Sequence, residues 1–397
     1  MRVRTPERQS DAERWACDSE GAGYTRARNP RPWSRTKLAR LETQMGHVGY
    51  TQIAGWIAPL ARGRIRRATL GSLIRMCACS YARLELPRHK GLIERLIRDL
   101  PELWQRTGTR ECRGLWHGYR LRLEMSDYYQ RLDFYLRRYH DGPLQMLLWR
   151  VLRPGDTFVD GGANTGLVSM FAAWQVGPRG RVLAFEPNPT PRAQLEWHVR
   201  KNGLGQVRVL PVGLSDQERV LEFREPDPWN LGAGTFASIP RRYEKFAIRS
   251  CMARVVRGDD TPELSQWPGL AVVKLDVEGF EIRALHGLER FIDRHRPLVI
   301  TEINPEMLEM AGSSPEELWS FFESRGYRAF TYETRRAIVR QRRLVLTSVP
   351  ALPHPPPTDL VWTHPESDAC ARLGFDSISS RTLRHRSDGS SPRGETA

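Results

Sequence analysis

Residues 158–166 read F-V-D-G-G-A-N-T-G, and no other stretch constrains the fold as much. An apolar, strand-like run ends in Asp160. Glycines stand at 161, 162 and 166, and Leu167, Val168, Met170 and Phe171 follow at once with a helical period. A strand, a tight turn and a helix N-terminus in direct succession suit an open α/β sheet with a ligand at the turn. Glycines tolerate strained dihedrals there and leave backbone N–H groups pointing outward. The nicotinamide fingerprint G-x-G-x-x-G does not fit, because counting from Gly162 puts Asn164 and Leu167 where glycines are required. The pattern that fits is D-x-G-x-N-x-G: Asp160, Gly162, Asn164 and Gly166. A carboxylate ahead of the glycines suits a cofactor with a cationic amino-acid end and no pyrophosphate. S-adenosylmethionine, with its ammonium and sulfonium, has that chemistry; an unliganded glycine turn is the alternative.

Two further strands end in charge. Residues 180–188, G-R-V-L-A-F-E-P-N, form an apolar run ending in Glu186, which lies 26 residues beyond Asp160, room for one helix and a short loop. Ligands of open parallel sheets sit outside the carboxyl ends of the strands, and an acidic residue at about this distance accepts hydrogen bonds from ribose hydroxyls. Residues 271–281, A-V-V-K-L-D-V-E-G-F-E, alternate apolar residues with Lys274, Asp276 and Glu278. Period two projects those three side chains on one face. They are either a functional constellation or an ion-pair ladder on a solvated face.

The set 155–166, A-F-E-P-N at 184–188, K-L-D-V-E-G-F-E at 274–281 and R-P-L-V-I-T-E at 296–302 resembles the FkbM family of S-adenosylmethionine-dependent methyltransferases. The resemblance runs in order from about 150 to 333. It implies a class I methyltransferase fold: a doubly wound, seven-stranded α/β sheet of six parallel strands and a last antiparallel one, with methyl transfer mostly to hydroxyl oxygen. Asp160, Gly162, Asn164, Gly166 and Glu186 match the family's cofactor positions, and Asp276 and Glu278 match its acidic pair. Ser215 and Asp216, after the third strand, fall where this fold holds the adenine base. Gly161 departs from the family's apolar residue and predicts a looser strand end; His286 replaces a basic residue and receives no role.

Composition narrows the alternatives. The 397 residues carry a net charge of +15, but residues 1–150 hold 29 Lys and Arg against 15 Asp and Glu, so the remainder is nearly neutral. The basic excess therefore precedes the candidate catalytic region, and its near-exclusive use of arginine disfavours a nucleic-acid acceptor. No apolar run approaches 18 residues, so no membrane span is expected, and the N-terminus carries no secretory pattern. Six cysteines without a C-x-x-C pair, and histidines without metal spacing, predict reduced thiols, no metal centre and a cytoplasmic location.

Four regions are expected: a basic, largely disordered extension over 1–80, an accessory helix and strand segment over 81–150, a methyltransferase domain over 151–364 and a disordered tail over 365–397. Strands are expected near 156–160, 181–186, 207–212, 271–276, 297–302 and 327–333, with a closing strand from Asp359. An insertion between the third and fourth holds two extra strands and a small-residue loop, 232–238, suited to covering a substrate. Trp149, Met146 and Leu152 are expected in the core.

An aliphatic hydroxyl must lose its proton to act as a nucleophile, so a base or a metal-bound oxygen is required. Asp276 is the candidate base, with Glu278 second, and Glu302 is the candidate acceptor contact. A divalent metal is not expected, since no third ligand is evident nearby in the sequence. The reading is O-methylation of a sugar, glycolipid or secondary metabolite. Its rivals are N- or RNA methylation, a nicotinamide dehydrogenase and an inactive binding module. The sequence leaves the acceptor and the oligomeric state open.

Overall fold

The computed structural model describes residues 73, 75–82, 84, 89–99, 108–226, 232, 234–237, 247–267, 269, 271–338 and 341–373. The chain divides into two compact units, Met1–Pro59 and Leu60–Ala397, and every described residue belongs to the second. The disorder expected of the two ends lies mostly outside the described residues.

Ahead of the sheet, residues 75–82 are helical and pack Ala78, Cys79 and Ala82 against helix α1 (His89–Asp99). A hairpin, β1 (Thr109–Arg113) and β2 (Arg120–Glu124), follows. Two helices come next, α2 (Tyr128–Leu136) and α3 (Gly142–Val151). Each starts on an aspartate, Asp127 and Asp141, whose carboxylate accepts a first-turn N–H.

The main sheet opens with β3 (Thr157–Gly161), α4 (Leu167–Val176), β4 (Arg181–Phe185), α5 (Pro189–Lys201) and β5 (Val207–Leu210). The chain then leaves it for a separate three-stranded sheet of β6 (Gly213–Leu214), β7 (Arg219–Pro226) and β8 (Ala247–Val256), which includes both insertion strands. It returns through β9 (Val272–Leu275), α6 (Glu281–Gly287), α7 (Glu289–His295), β10 (Leu298–Glu302), α8 (Pro305–Met310) and α9 (Pro315–Glu323). The last elements are β11 (Arg328–Ile338), β12 (Gln341–Val349), β13 (Asp359–Thr363) and a short α10 (Asp368–Ala371).

The order across the main sheet is β12-β11-β13-β10-β9-β3-β4-β5. β13 runs antiparallel between β10 and β11, and the β3, β4, β5, β9 and β10 pairings are parallel. This is the class I methyltransferase order with one strand added. The expected seven become eight because β12 pairs with β11 as a hairpin, seating Leu344 and Leu346 against the core. The central strands are buried on both faces, as parallel strands covered by helices must be. Alternate residues sort to opposite sides: Phe158, Val182, Val272 and Leu298 face α3 and α4, while Val159, Leu183, Val273 and Val299 face α6, α7 and α9.

Two expectations change. Residues 365–373 are folded: Ala369, Cys370 and Leu373 are buried, and Arg372 pairs with Asp156 and donates to the Val151 carbonyl. Trp149 is exposed on the outer side of α3, edge-on to Trp116 and Trp174, whereas Leu152 is core.

Candidate active site

The carboxyl ends of β3, β4, β9 and β10 open on one cavity of about 320 Å³. Its first wall is the glycine turn. Gly162, Asn164 and Gly166 all take positive φ (73°, 50° and 83°), and Gly162 and Ala163 both donate to the Phe185 carbonyl. A Cβ on Gly162 would collide with the Asp276 carbonyl, and one on Gly166 with Leu195. Gly161 is not looser: it is buried within β3, and a Cβ there would stand 2.8 Å from Leu275 and 3.0 Å from Leu214, which fill the space.

Glu186, just past β4, braces this turn. Its carboxylate accepts the Asn164 N–H at 2.6 Å and the Asn188 N–H at 2.8 Å, so the turn and the start of α5 share one anchor. Burial pushes its carboxyl up to about 7 despite both donors. It lines the cavity, and a carboxylate's four lone-pair sites leave room for hydroxyl donors after two amides are served. His198 of α5 supports the same wall: it bonds the Thr165 carbonyl at 2.9 Å and accepts the Arg122 N–H at 2.8 Å, and burial lowers it to about 4.

Asp160 is turned inward. It is fully buried, accepts from the Ser169 hydroxyl at 2.6 Å and pairs with Lys274 at 3.3 Å. It does not line the cavity, so its carboxylate meets the protein's own ammonium rather than a ligand's. Burial alone would pull Lys274 down, but Asp276, also at 3.3 Å, and Asp160 outweigh it and keep it protonated.

The second wall is acidic. β9 ends at Leu275, so Glu278 reaches the cavity through a left-handed turn (φ 51°) rather than by strand alternation. Such a conformation costs a non-glycine residue about 1–2 kcal/mol. Glu302 arrives from the end of β10, and the carboxylate oxygens of Asp276, Glu278 and Glu302 lie within 4.8 Å of one another. This group could hold a cation, and the third ligand that the sequence lacked near Asp276 comes from the neighbouring strand. Burial raises both Glu278 and Glu302, and the charge of Asp276 adds to each shift. Asp359, paired with Glu302 across β10 and β13, is pushed up to about 6 by burial and by Asp141 and Asp276.

The third wall was not read from the sequence. Asp127, Tyr129, Tyr139 and Asp141 enter from α2 and α3, and Phe223 and Phe236 from the inserted sheet. No motif marks these residues. For Asp359 a signal existed: it opens the closing strand, whose antiparallel register sets it opposite Glu302. Ser215 and Asp216 stand outside the cavity lining. Ser215 is fully buried and donates to Asp216, which lies 3.8 Å from Arg283. β6 itself lines the cavity through Gly213 and Leu214, and the two residues follow just beyond it.

A family model described as the methyltransferase FkbM domain matches residues 160–329. No curated protein matches the chain. Among solved structures, the chain is similar to a methyltransferase FkbM from Methylobacillus flagellatus (15% identity, 68% of this chain and 60% of that one, TM-score 0.29). It is also similar to an S-adenosylmethionine-dependent O-methyltransferase from Thermotoga maritima (13%, 56% and 63%, TM-score 0.29). A third is the fibrillarin of Aeropyrum pernix with natively bound S-adenosylmethionine (13%, 50% and 68%, TM-score 0.27). The chain thus spans about three-fifths of the Methylobacillus protein. Residues 160–329 of this chain thus match the methyltransferase FkbM domain.

Proposed function

We propose that the protein transfers a methyl group from S-adenosylmethionine to a hydroxyl of a small, uncharged, polyhydroxylated acceptor such as a sugar, glycolipid or secondary metabolite. The observation that carries this reading is the charge of the cavity. In a chain of net charge +15, eight carboxylates line it, and no arginine does among the described residues. Its one lysine, Lys274, is engaged by Asp160 and Asp276, and its histidine, His140, by Asp133. Such a wall disfavours a phosphate backbone beside it, which opposes RNA as acceptor, and offers hydrogen-bond partners to hydroxyls.

Gly162, Asn164 and Glu186, which line the cavity, would hold the cofactor, and Gly166, packed against Leu195, would keep the turn in shape. The fit rests on the lining turn 162–165 and on the spare acceptor capacity of Glu186. When bound, S-adenosylmethionine supplies an already activated methyl group. The chain's own residues then have to orient the acceptor, exclude water and take its hydroxyl proton. Asp276 is the base in this reading, held by Lys274. Glu278 is the second carboxylate within reach, and Glu302 and Asp359 bond the acceptor. A cytoplasmic setting belongs to the same reading.

Calorimetry with S-adenosylmethionine and with NAD tests the cofactor, and tighter NAD binding would overturn it. Turnover on matched neutral and anionic sugars tests the acceptor, and preference for the anionic one would overturn the charge argument. A rate that collapses with chelator and returns with magnesium would replace the free base by a cation on the three carboxylates.

A further inference from the structure

We propose that Thr235 and Glu281 are positioning residues that clamp the turn 277–279 from two sides, so that Glu278 is held against its backbone preference with its carboxylate in the cavity. The proposal builds on the methyl-transfer reading of the same site.

Glutamate does not choose a positive φ unaided, and the surroundings of Glu278 supply what holds it there. From α6, the Glu281 carboxylate accepts the N–H of Val277 at 3.0 Å and of Gly279 at 3.3 Å, bracketing residue 278. From the inserted sheet, the Thr235 hydroxyl donates to the Glu278 carbonyl at 2.6 Å. Both clamps are buried, Glu281 at 1% and Thr235 at 2% exposure, where such bonds face no competition from water. Gly279 (φ 99°) packs closely on α8, where a Cβ would meet the Met307 carbonyl.

Thr235 is itself anchored. It exchanges backbone hydrogen bonds with Arg224 of β7 at 2.9 and 3.1 Å, and its hydroxyl accepts the Ala237 N–H at 2.9 Å. Phe236, next along, packs between Phe223 at 4.9 Å and Phe280 at 5.4 Å. The described part of the expected substrate loop is therefore a docked strap, and it ties the inserted sheet to the turn that presents Glu278.

Hydrogen–deuterium exchange on the full chain reads the clamp without an acceptor. Thr235→Val and Glu281→Ala should each speed exchange at 277–280 at least tenfold while leaving 161–166 unchanged and S-adenosylmethionine affinity within threefold. Thr235→Ser should restore the wild-type rate. Unchanged exchange at 277–280 in Thr235→Val would overturn the proposal. So would a parallel loss of protection at 161–166, which would mark a general structural role. If wild-type protein fails to bind S-adenosylmethionine, the functional reading fails, while the exchange result still decides the clamp.

Discussion

The two sides of the cavity solve opposite electrostatic problems. On the glycine side, polar groups find partners within the protein: Glu186 takes two backbone amides, His198 bonds Thr165 and Arg122, and Asp160 and Lys274 neutralise each other. On the acidic side, Asp276, Glu278, Glu302 and Asp359 converge with Lys274 as the one cation in the lining. One wall is braced by these internal bonds and keeps spare polar atoms, on Glu186 and the Asn164 side chain, for a ligand. The other gathers carboxyl groups in excess of its cations, which an acceptor's hydroxyls or a cation would satisfy. Excess of this kind is expected where chemistry is done rather than where the fold is held.

The largest effect should come from the acidic side. Asp276→Asn keeps the shape of the turn but removes the proposed base, and should lower turnover by about 10²- to 10⁴-fold with cofactor affinity within a few fold. Near-normal turnover would pass the role to Glu278. On the glycine side the expectation is reversed: Glu186→Ala should weaken S-adenosylmethionine by roughly 10- to 150-fold, since hydrogen bonds to a charged group contribute about 1.5–3 kcal/mol. Unchanged affinity by calorimetry would break the division of labour between the walls.

The smallest effects concern stability, and their pH signs differ. Glu302 is raised above its unfolded value, so its contribution is present below about pH 4.5 and is lost as pH rises toward its folded value. Glu302→Gln should therefore gain about 2 kcal/mol at pH 8 and nothing at pH 4, a figure reduced for partial exposure. His198 is lowered from 6.5 to about 4, so its contribution is present above pH 6.5 and lost as pH falls through that window. About 3 kcal/mol is at stake there, and His198→Gln should flatten the acid limb of the melting curve. Glu186 follows the acidic sign of Glu302, although it stands on the glycine side.

Much of the scaffold was legible because local rules bind it. Asn188 caps α5 and Ser314 caps α9 as their side chains predict, and Gly203 and Gly326, just beyond those helices, take positive φ. The strand, turn and helix at 157–176 follow from the pattern D-x-G-x-N-x-G. β12 escaped because a hairpin partner is chosen by the sheet edge that awaits it, not by its own residues. The pairing of Asp160 with Lys274 was hidden for a related reason: a strand-end carboxylate looks the same in sequence whether it faces a ligand or a buried lysine.

By itself the sequence determined the doubly wound order of elements, the glycine turn and the place of Glu186 just past its strand, and it named the pair Asp276 and Glu278 without the left-handed turn that brings Glu278 to the cavity. These depend on periodicity, capping and spacing, which act over a few residues. Only the tertiary structure decided that Glu302 and Asp359 join that pair, that α2 and α3 supply the opposing wall, and that Ser215 and Asp216 stay outside. Those outcomes depend on strand register and on where separate elements dock, and no residue carries that information before the chain has closed on itself.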